Sequence, residues 1–306
     1  MVHLLHYHKS KGVDLHVNFP EKVSIRDVTL RDGLQNESVF IGAENKLGGL
    51  NEIIDAGFRR IEVTSFVHPK WVPALSDADE LAKRLPKIPG IQYDALVPNI
   101  KGLERFLKTN IDTAVFFLSA STRHNEANLN RTTNESLVHV SDLISKTRSH
   151  NRKTMGAVAT AFVCPYAGEV PYQEVERIVT TMVENGVDEV GLGDTIGKAT
   201  PKMIYEYCSR IKDKYPDLTL SLHLHDTYGY ALANIIAGIQ SGVYIYDTAQ
   251  AGLGGCPYAP GAPGNVQASQ VVNFLERQGI ETRIDIDKLK NTDQMFQDMV
   301  KKQTSV

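Results

Sequence analysis

Eight short apolar or alternating runs, separated by stretches of helical periodicity, constrain this chain more than any other feature. They lie at residues 23–30, 60–66, 91–97, 113–118, 155–162, 188–193, 218–225 and 244–249. Each has the length and the β-branched and aromatic content of a buried strand. The helical pattern between them is clearest over 171–185, where Val175, Ile178, Val179, Met182 and Val183 recur at i, i+3, i+4, i+7 and i+8 and Gly186 supplies a stop. A second helix opens at Thr200-Pro201, a cap residue followed by proline at the first helical position, and turns Ile204, Tyr207, Cys208 and Ile211 inward. Eight strand–helix units within one chain of 306 residues predict an α/β protein, a single (β/α)8 TIM barrel. No glycine-rich GxGxxG follows the first strand, which argues against a dinucleotide-binding open sheet. The expected boundaries are a short N-terminal arm over 1–22, the barrel over 23–300 and a tail over 301–306.

A net charge of −3 gives no support to nucleic-acid binding or electrostatic membrane attachment. The three cysteines (Cys164, Cys208 and Cys256) are odd in number and far apart, unlike a disulfide framework or a CxxC zinc site, and suggest a reducing compartment. The first residues lack the apolar core of a secretory signal, and no apolar run approaches transmembrane length. A cytoplasmic protein is the expectation.

In a barrel, functional groups gather at the C-terminal ends of the strands. The first run leads into Arg31-Asp32 and then Gln35, the second carries Glu62 and Ser65, the sixth ends at Asp194, and the seventh holds His223-Leu224-His225. Side chains alternate along a strand, so the two imidazoles share a face. With Asp32 as a hard oxygen ligand they suit an octahedral Mg2+ or Mn2+; the bland reading is a hydrogen-bonded pair of core histidines. Arg31 has two readings, an oxyanion stabiliser or a salt bridge to Glu62. Asp194 reads as a base, a support for a ligand or a turn cap.

The eighth run leads into residues 251–265, with five glycines, three prolines and Cys256. Such a segment cannot continue a helix or a central strand. It reads either as a tight connection with an inert thiol or as a semi-mobile catalytic loop ending at Asn265.

Taken together, VTLRDGLQNE, IEVTSFVHPKWVP, CPYAGEV, GLGDTIG, LHLHDTYG and AGLGGCPYAPGAPGN resemble the 3-hydroxy-3-methylglutaryl-CoA lyase family, within the metal-dependent DRE-TIM lyase and synthase superfamily. The likeness runs in order over about residues 23 to 300. It implies that Asp32, His223, His225 and Asn265 hold a divalent cation, that Arg31 sits over the thioester oxygen and that Cys256 is the catalytic thiol. Glu62, Asp194 and Gln35 match further active-site positions. The implied reaction is retro-Claisen cleavage of the hydroxyacyl thioester to acetyl-CoA and acetoacetate. His223 or Asp194 is the implied proton acceptor, and Cys256 helps protonate the enolate carbon. The resemblance also implies a homodimer and a place in leucine degradation or ketone-body formation.

Two departures stand out. The family pattern has a glutamate four residues after Asn265, where this chain has Ser269, and the tail carries Lys301 and Lys302 as candidate contacts to the CoA phosphates. Ser269 motivates an alternative, the same mechanism on a different 3-hydroxyacyl-CoA. A metal hydrolase, a Claisen-condensing synthase and a non-catalytic barrel are the other readings; the cysteine loop disfavours the first two and the intact ligand set the third.

Overall fold

The first strand, β1 (Ser24–Asp27), hydrogen-bonds in parallel to the last, β10 (Ile245–Thr248), and to β2 (Arg60–Ser65), which closes the sheet on itself. This computed structural model describes residues 19–37, 39–254 and 264–303, without the side chains of 302 and 303. Between the closing pair run β3 (Gln92–Leu96), β4 (Thr113–Ser119), β5 (Lys153–Ala159), β8 (Glu189–Asp194) and β9 (Thr219–Leu224), giving the order β1-β10-β9-β8-β5-β4-β3-β2. Every barrel pairing is parallel, so the fold is the expected (β/α)8 barrel. Among the described residues β6 (Val163–Cys164) and β7 (Gly168–Glu169) add a small antiparallel hairpin beyond β5, too short to read in the sequence.

The helices are α1 (Ala43–Asp55), α2 (Ala78–Arg84), α3 (Ile100–Phe106), α4 (Thr122–Leu129), α5 (Thr133–Ser149), α6 (Tyr172–Glu184), α7 (Pro201–Lys214), α8 (Ala231–Gln240), α9 (Ala268–Arg277) and α10 (Ile286–Gln303). On α6 the residues Val175, Ile178, Val179 and Met182 are buried, the stripe its periodicity predicts. The Thr200 hydroxyl caps α7 by accepting from the Met203 amide. Cys208 is fully buried on the inner face of α7, and burial pushes its thiol up to about 12. That makes it an inert packing residue.

Two segments extend the barrel. Lys22 pairs with Glu281, and the Glu281 amide donates to the Glu21 carbonyl at 2.8 Å, so ordered packing begins just ahead of β1. At the other end α10 lies against α1 so closely that a Cβ on Gly49 would stand 2.5 Å from the Phe296 ring; only glycine fits there. The earlier part of the 1–22 arm and residues 304–306 lie outside the described residues.

The lower interior is charged, unlike the branched-aliphatic filling usual in such barrels. Arg26 bonds Asp247 at 2.6 Å and Glu189 at 3.1 Å, while Arg60 bonds Asp94 at 2.7 Å and also Glu189. Two guanidiniums thus face three buried carboxylates. The register, with Asp247 beside His223 and His223 beside Gly193, stacks this network directly under the strand ends that carry the candidate site.

Candidate active site

β1 does not continue to Leu30. After Val28 the chain winds into a single π-turn, Thr29–Gly33, in which the amides of Asp32 and Gly33 both donate to the Val28 carbonyl, at 2.8 and 3.1 Å. Wide turns of this kind recur at functional sites because they swing a side chain out of the regular ladder. Here the turn places Asp32 toward β9 and the return to α9. Beneath it, buried Asp27 accepts from the Thr29 amide, the Thr29 hydroxyl and the Gln250 side-chain amide, tying the turn to the exit of β10.

One oxygen of Asp32 and one ring nitrogen each of His223 and His225 lie within 4.8 Å of one another. Asp32 is only slightly exposed. It accepts from the Asn265 amide at 2.7 Å, from Gln35 at 3.4 Å and from Arg31. Burial alone would raise its pKa, but Arg31, His223, His225 and the Asn265 bond outweigh that and hold it well below the usual carboxylate range. His225 responds in the opposite way: burial, with His223 beside it, pushes its imidazole down to about 4 and leaves it neutral at physiological pH. Its Nδ1 is buried without a hydrogen-bond partner.

His223 is oriented from below. Its Nδ1 lies 3.1 Å from the Asp247 carboxylate, which Arg26 grips from the other side. Burial would lower its pKa, but the bond to Asp247 and the charge of Asp32 raise it above the ordinary imidazole value. Arg31 spans from Asp32 to Glu62, donating to Glu62 at 2.8 Å. Its Nε and Glu62 Oε1 join His225 Nδ1 among the buried polar atoms without a partner. Orphaned polar atoms grouped this way mark a place built for something else to bind.

The remaining residues fall at graded distances from this centre. Asp194 ends β8 and accepts from the amides of Lys198 and Ala199 at 2.9 and 3.0 Å, so the turn-cap reading describes its contacts. Burial nevertheless lifts its carboxyl to about 6. Ser65 is buried at the end of β2, beyond a bulge after Glu62, and accepts from the Val67 amide. A bulge shifts the alternation, so residues three apart can share a face. Lys301 is exposed on the last turn of α10; the side chain of Lys302 and all of Cys256 lie outside the described residues. The supports Asp247, Asp27 and Asp293 escaped the sequence reading. Each acts through contacts more than twenty residues away in the chain, except for the Asp27–Thr29 bonds.

Asn265 closes the group. Its amide donates both to Asp32 and to the Leu253 carbonyl, at 2.9 Å, and its backbone bridges to His225. Gly254, at φ +98°, lies so close that a Cβ there would overlap the Asn265 amide nitrogen.

The donor set fits a hard divalent cation: one carboxylate held ionised, one imidazole held neutral, and a second imidazole fixed through its other nitrogen, the usual support for a metal-binding histidine. Fold and cluster define a class, the (β/α)8 barrels whose mouth carries a group able to hold such an ion. Comparison with known proteins narrows it. The HMGL-like family model matches residues 22–296, and the chain belongs to that family. The chain is 42% identical over 271 residues to hydroxymethylglutaryl-CoA lyase YngG of Bacillus subtilis, covering 89% of this chain and 91% of the relative. It is 39% identical to the human mitochondrial hydroxymethylglutaryl-CoA lyase over 88% of this chain and 83% of that protein. The crystal structure of the B. subtilis HMG-CoA lyase superposes with a TM-score of 0.90 at 41% identity, covering 92% of this chain and 95% of that one. An HMG-CoA lyase from Acinetobacter baumannii, solved with coenzyme A and 3-methylmalate, gives 0.87 at 34% identity, covering 92% of each chain.

Proposed function

We propose that this chain is a carbon–carbon lyase that cleaves 3-hydroxy-3-methylglutaryl-CoA to acetyl-CoA and acetoacetate with the help of Mg2+ or Mn2+. The observation that carries the reading is the convergence of Asp32, His223 and His225 at the strand ends, with Arg31 bridging Asp32 and Glu62 beside them. Asp32, His223, His225 and Asn265 would hold the ion. When bound, it supplies a Lewis acid that lowers the pKa of the substrate's tertiary hydroxyl.

The protein groups divide the remaining work. The C3 hydroxyl proton passes to Asp194 or His223, the two acceptors the family resemblance implies; burial lifts the Asp194 carboxyl to about 6, toward the range of a general base. The C2–C3 bond then breaks as the C3 oxygen becomes the ketone of acetoacetate, and the electron pair passes to the thioester as an enolate. Arg31 donates to the enolate oxygen; its cation is already oriented by Glu62, so little reorganisation is needed as charge develops. Cys256 returns a proton to C2, a role that rests on the family resemblance. The same reading assigns Gln35 and Ser65 to substrate binding and Lys301 and Lys302 to the CoA phosphates.

The same reading carries a homodimer in the cytoplasm, which light scattering and cell fractionation check. Curated relatives are named both mitochondrial and cytoplasmic. Among the described residues no helix is long and apolar enough to cross a membrane. Substrate identity is tested with a panel of 3-hydroxyacyl-CoA thioesters. The highest kcat/KM is expected for 3-hydroxy-3-methylglutaryl-CoA, and a far higher value for another thioester would overturn the assignment.

A further inference from the structure

Position 269, where the family pattern carries glutamate, is not open space here. The Ser269 hydroxyl donates at 2.5 Å to Asp293, a residue of α10 that is 6% exposed. The same carboxylate accepts from the Gln267 side-chain amide at 2.8 Å and, through its other oxygen, from the Ala251 amide at 2.6 Å. Ala251 follows β10 and takes φ +54°, a left-handed conformation that an alanine holds only when its surroundings fix it. Gln267 and Ser269 open the return into α9. Asp293 therefore grips both sides of the excursion between β10 and α9, from outside it.

Around this grip the backbone forms a closed frame. The Ala249 amide donates to the Val266 carbonyl at 3.2 Å, and the Ala268 amide donates to the Ala249 carbonyl at 3.0 Å. Asn265 is the next residue along that frame, bonded to Leu253 on one side and Asp32 on the other. Shifting Ala251 relative to Gln267 would move Leu253 against Asn265 and draw the amide off Asp32.

We infer that Asp293 is a positioning residue that supplies from α10 the carboxylate missing at position 269, and so sets Asn265 against Asp32. This rests on the lyase reading above. It also makes the departure at Ser269 a relocation of charge within the molecule, with the hydroxyl donating to the carboxylate of Asp293.

The test compares wild type, Asp293→Asn, Asp293→Ala and the relocated pair Ser269→Glu/Asp293→Ala. For each, kcat and KM for the thioester are measured, with Mn2+ affinity of the metal-free protein by electron paramagnetic resonance and Tm. Supporting groups around metal ligands are typically worth 10- to 100-fold in affinity or activity. Asp293→Asn and Asp293→Ala should therefore bind Mn2+ about 10-fold more weakly and lose about 10-fold or more in kcat, with KM little changed. The relocated pair should recover most of both losses. A fall in Tm with Mn2+ affinity and kcat within about twofold of wild type would reduce Asp293 to a packing residue and overturn the inference. A relocated pair no better than Asp293→Ala would do the same, as would failure of every Asp293 variant to fold. An inactive wild type that still shows the Asp293-dependent change in Mn2+ affinity would refute the lyase reading while leaving the inference intact.

Discussion

His223 Nδ1 stands 3.1 Å from the carboxylate of Asp247, and Asp247 is held on its far side by Arg26 at 2.6 Å. The candidate site is thereby mounted on the charged interior of the barrel. A side chain that must present one nitrogen upward is fixed by a bond to the other, and the partner of that bond is itself immobilised by a buried cation. Asp247→Asn should weaken divalent-metal affinity about 10- to 100-fold, the usual cost of losing such a support. It should also destabilise the fold by about 3–5 kcal/mol, because Arg26 loses its closest carboxylate in a buried setting. Calorimetric titration with Mn2+ and urea denaturation measure the two effects separately.

The raised pKa of His223 gives metal binding a sign. Protons compete with the ion for this imidazole, so affinity should climb with pH through and above the ordinary imidazole range, with proton release on binding. His225, at about 4, should contribute little to that slope. Without metal the linkage reverses: the protonated His223 stabilises the fold below the ordinary value, and that stabilisation fades as pH rises through the higher folded value. Titrations between pH 5.5 and 8.5 in two buffers of different ionisation enthalpy report the proton count; a flat profile would contradict the geometry.

Asp27 is fully buried, and burial lifts its carboxyl to about 7 despite the three hydrogen bonds it accepts. Its folded pKa lies above its unfolded one, so its contribution to stability is complete below about pH 4 and is lost as pH rises through about 7. Asp27→Asn should flatten the decline of Tm between pH 5 and 8. The change is accommodated because Gln250 Oε1 has no partner and an amide flip lets it accept from a donor at position 27. An unchanged pH profile in thermal melts would show that Asp27 is ionised throughout.

Gly254→Ala tests the approach of the chain to Asn265. At φ +98° the added Cβ is strained, and it displaces the Asn265 amide from Asp32. Turnover should fall at least about 10-fold while Tm shifts by only a few degrees, since the damage is local.

The barrel was legible because buried parallel strands read as apolar runs, and the helices between them show their stripe. Strand ends were less so. The 23–30 run looked like one strand to Leu30, but Val28 is the pivot of a π-turn held by contacts with the β10 exit, invisible in a local pattern. Asp32, His223, His225 and Asn265 stood out as candidates by residue type and by their places at strand ends, and the structure brings them together. Asp247 and Asp293 did not stand out, since an isolated carboxylate on a strand or on α10 carries no local signal; their partners lie 24 or more residues away in the chain, set by register and helix packing. The charged interior escaped for the same reason, Arg26 and Asp247 being separated by 221 positions.

The most direct test is cleavage by protein stripped of metal with a chelator and then supplied with Mg2+ or Mn2+, scoring acetyl-CoA and acetoacetate separately. Equimolar formation of the two products from 3-hydroxy-3-methylglutaryl-CoA, abolished by chelator, restored by metal and absent from Asp32→Asn, is the expected result. Products that persist after complete removal of metal, or free CoA released without acetoacetate, would contradict a metal-dependent carbon–carbon lyase.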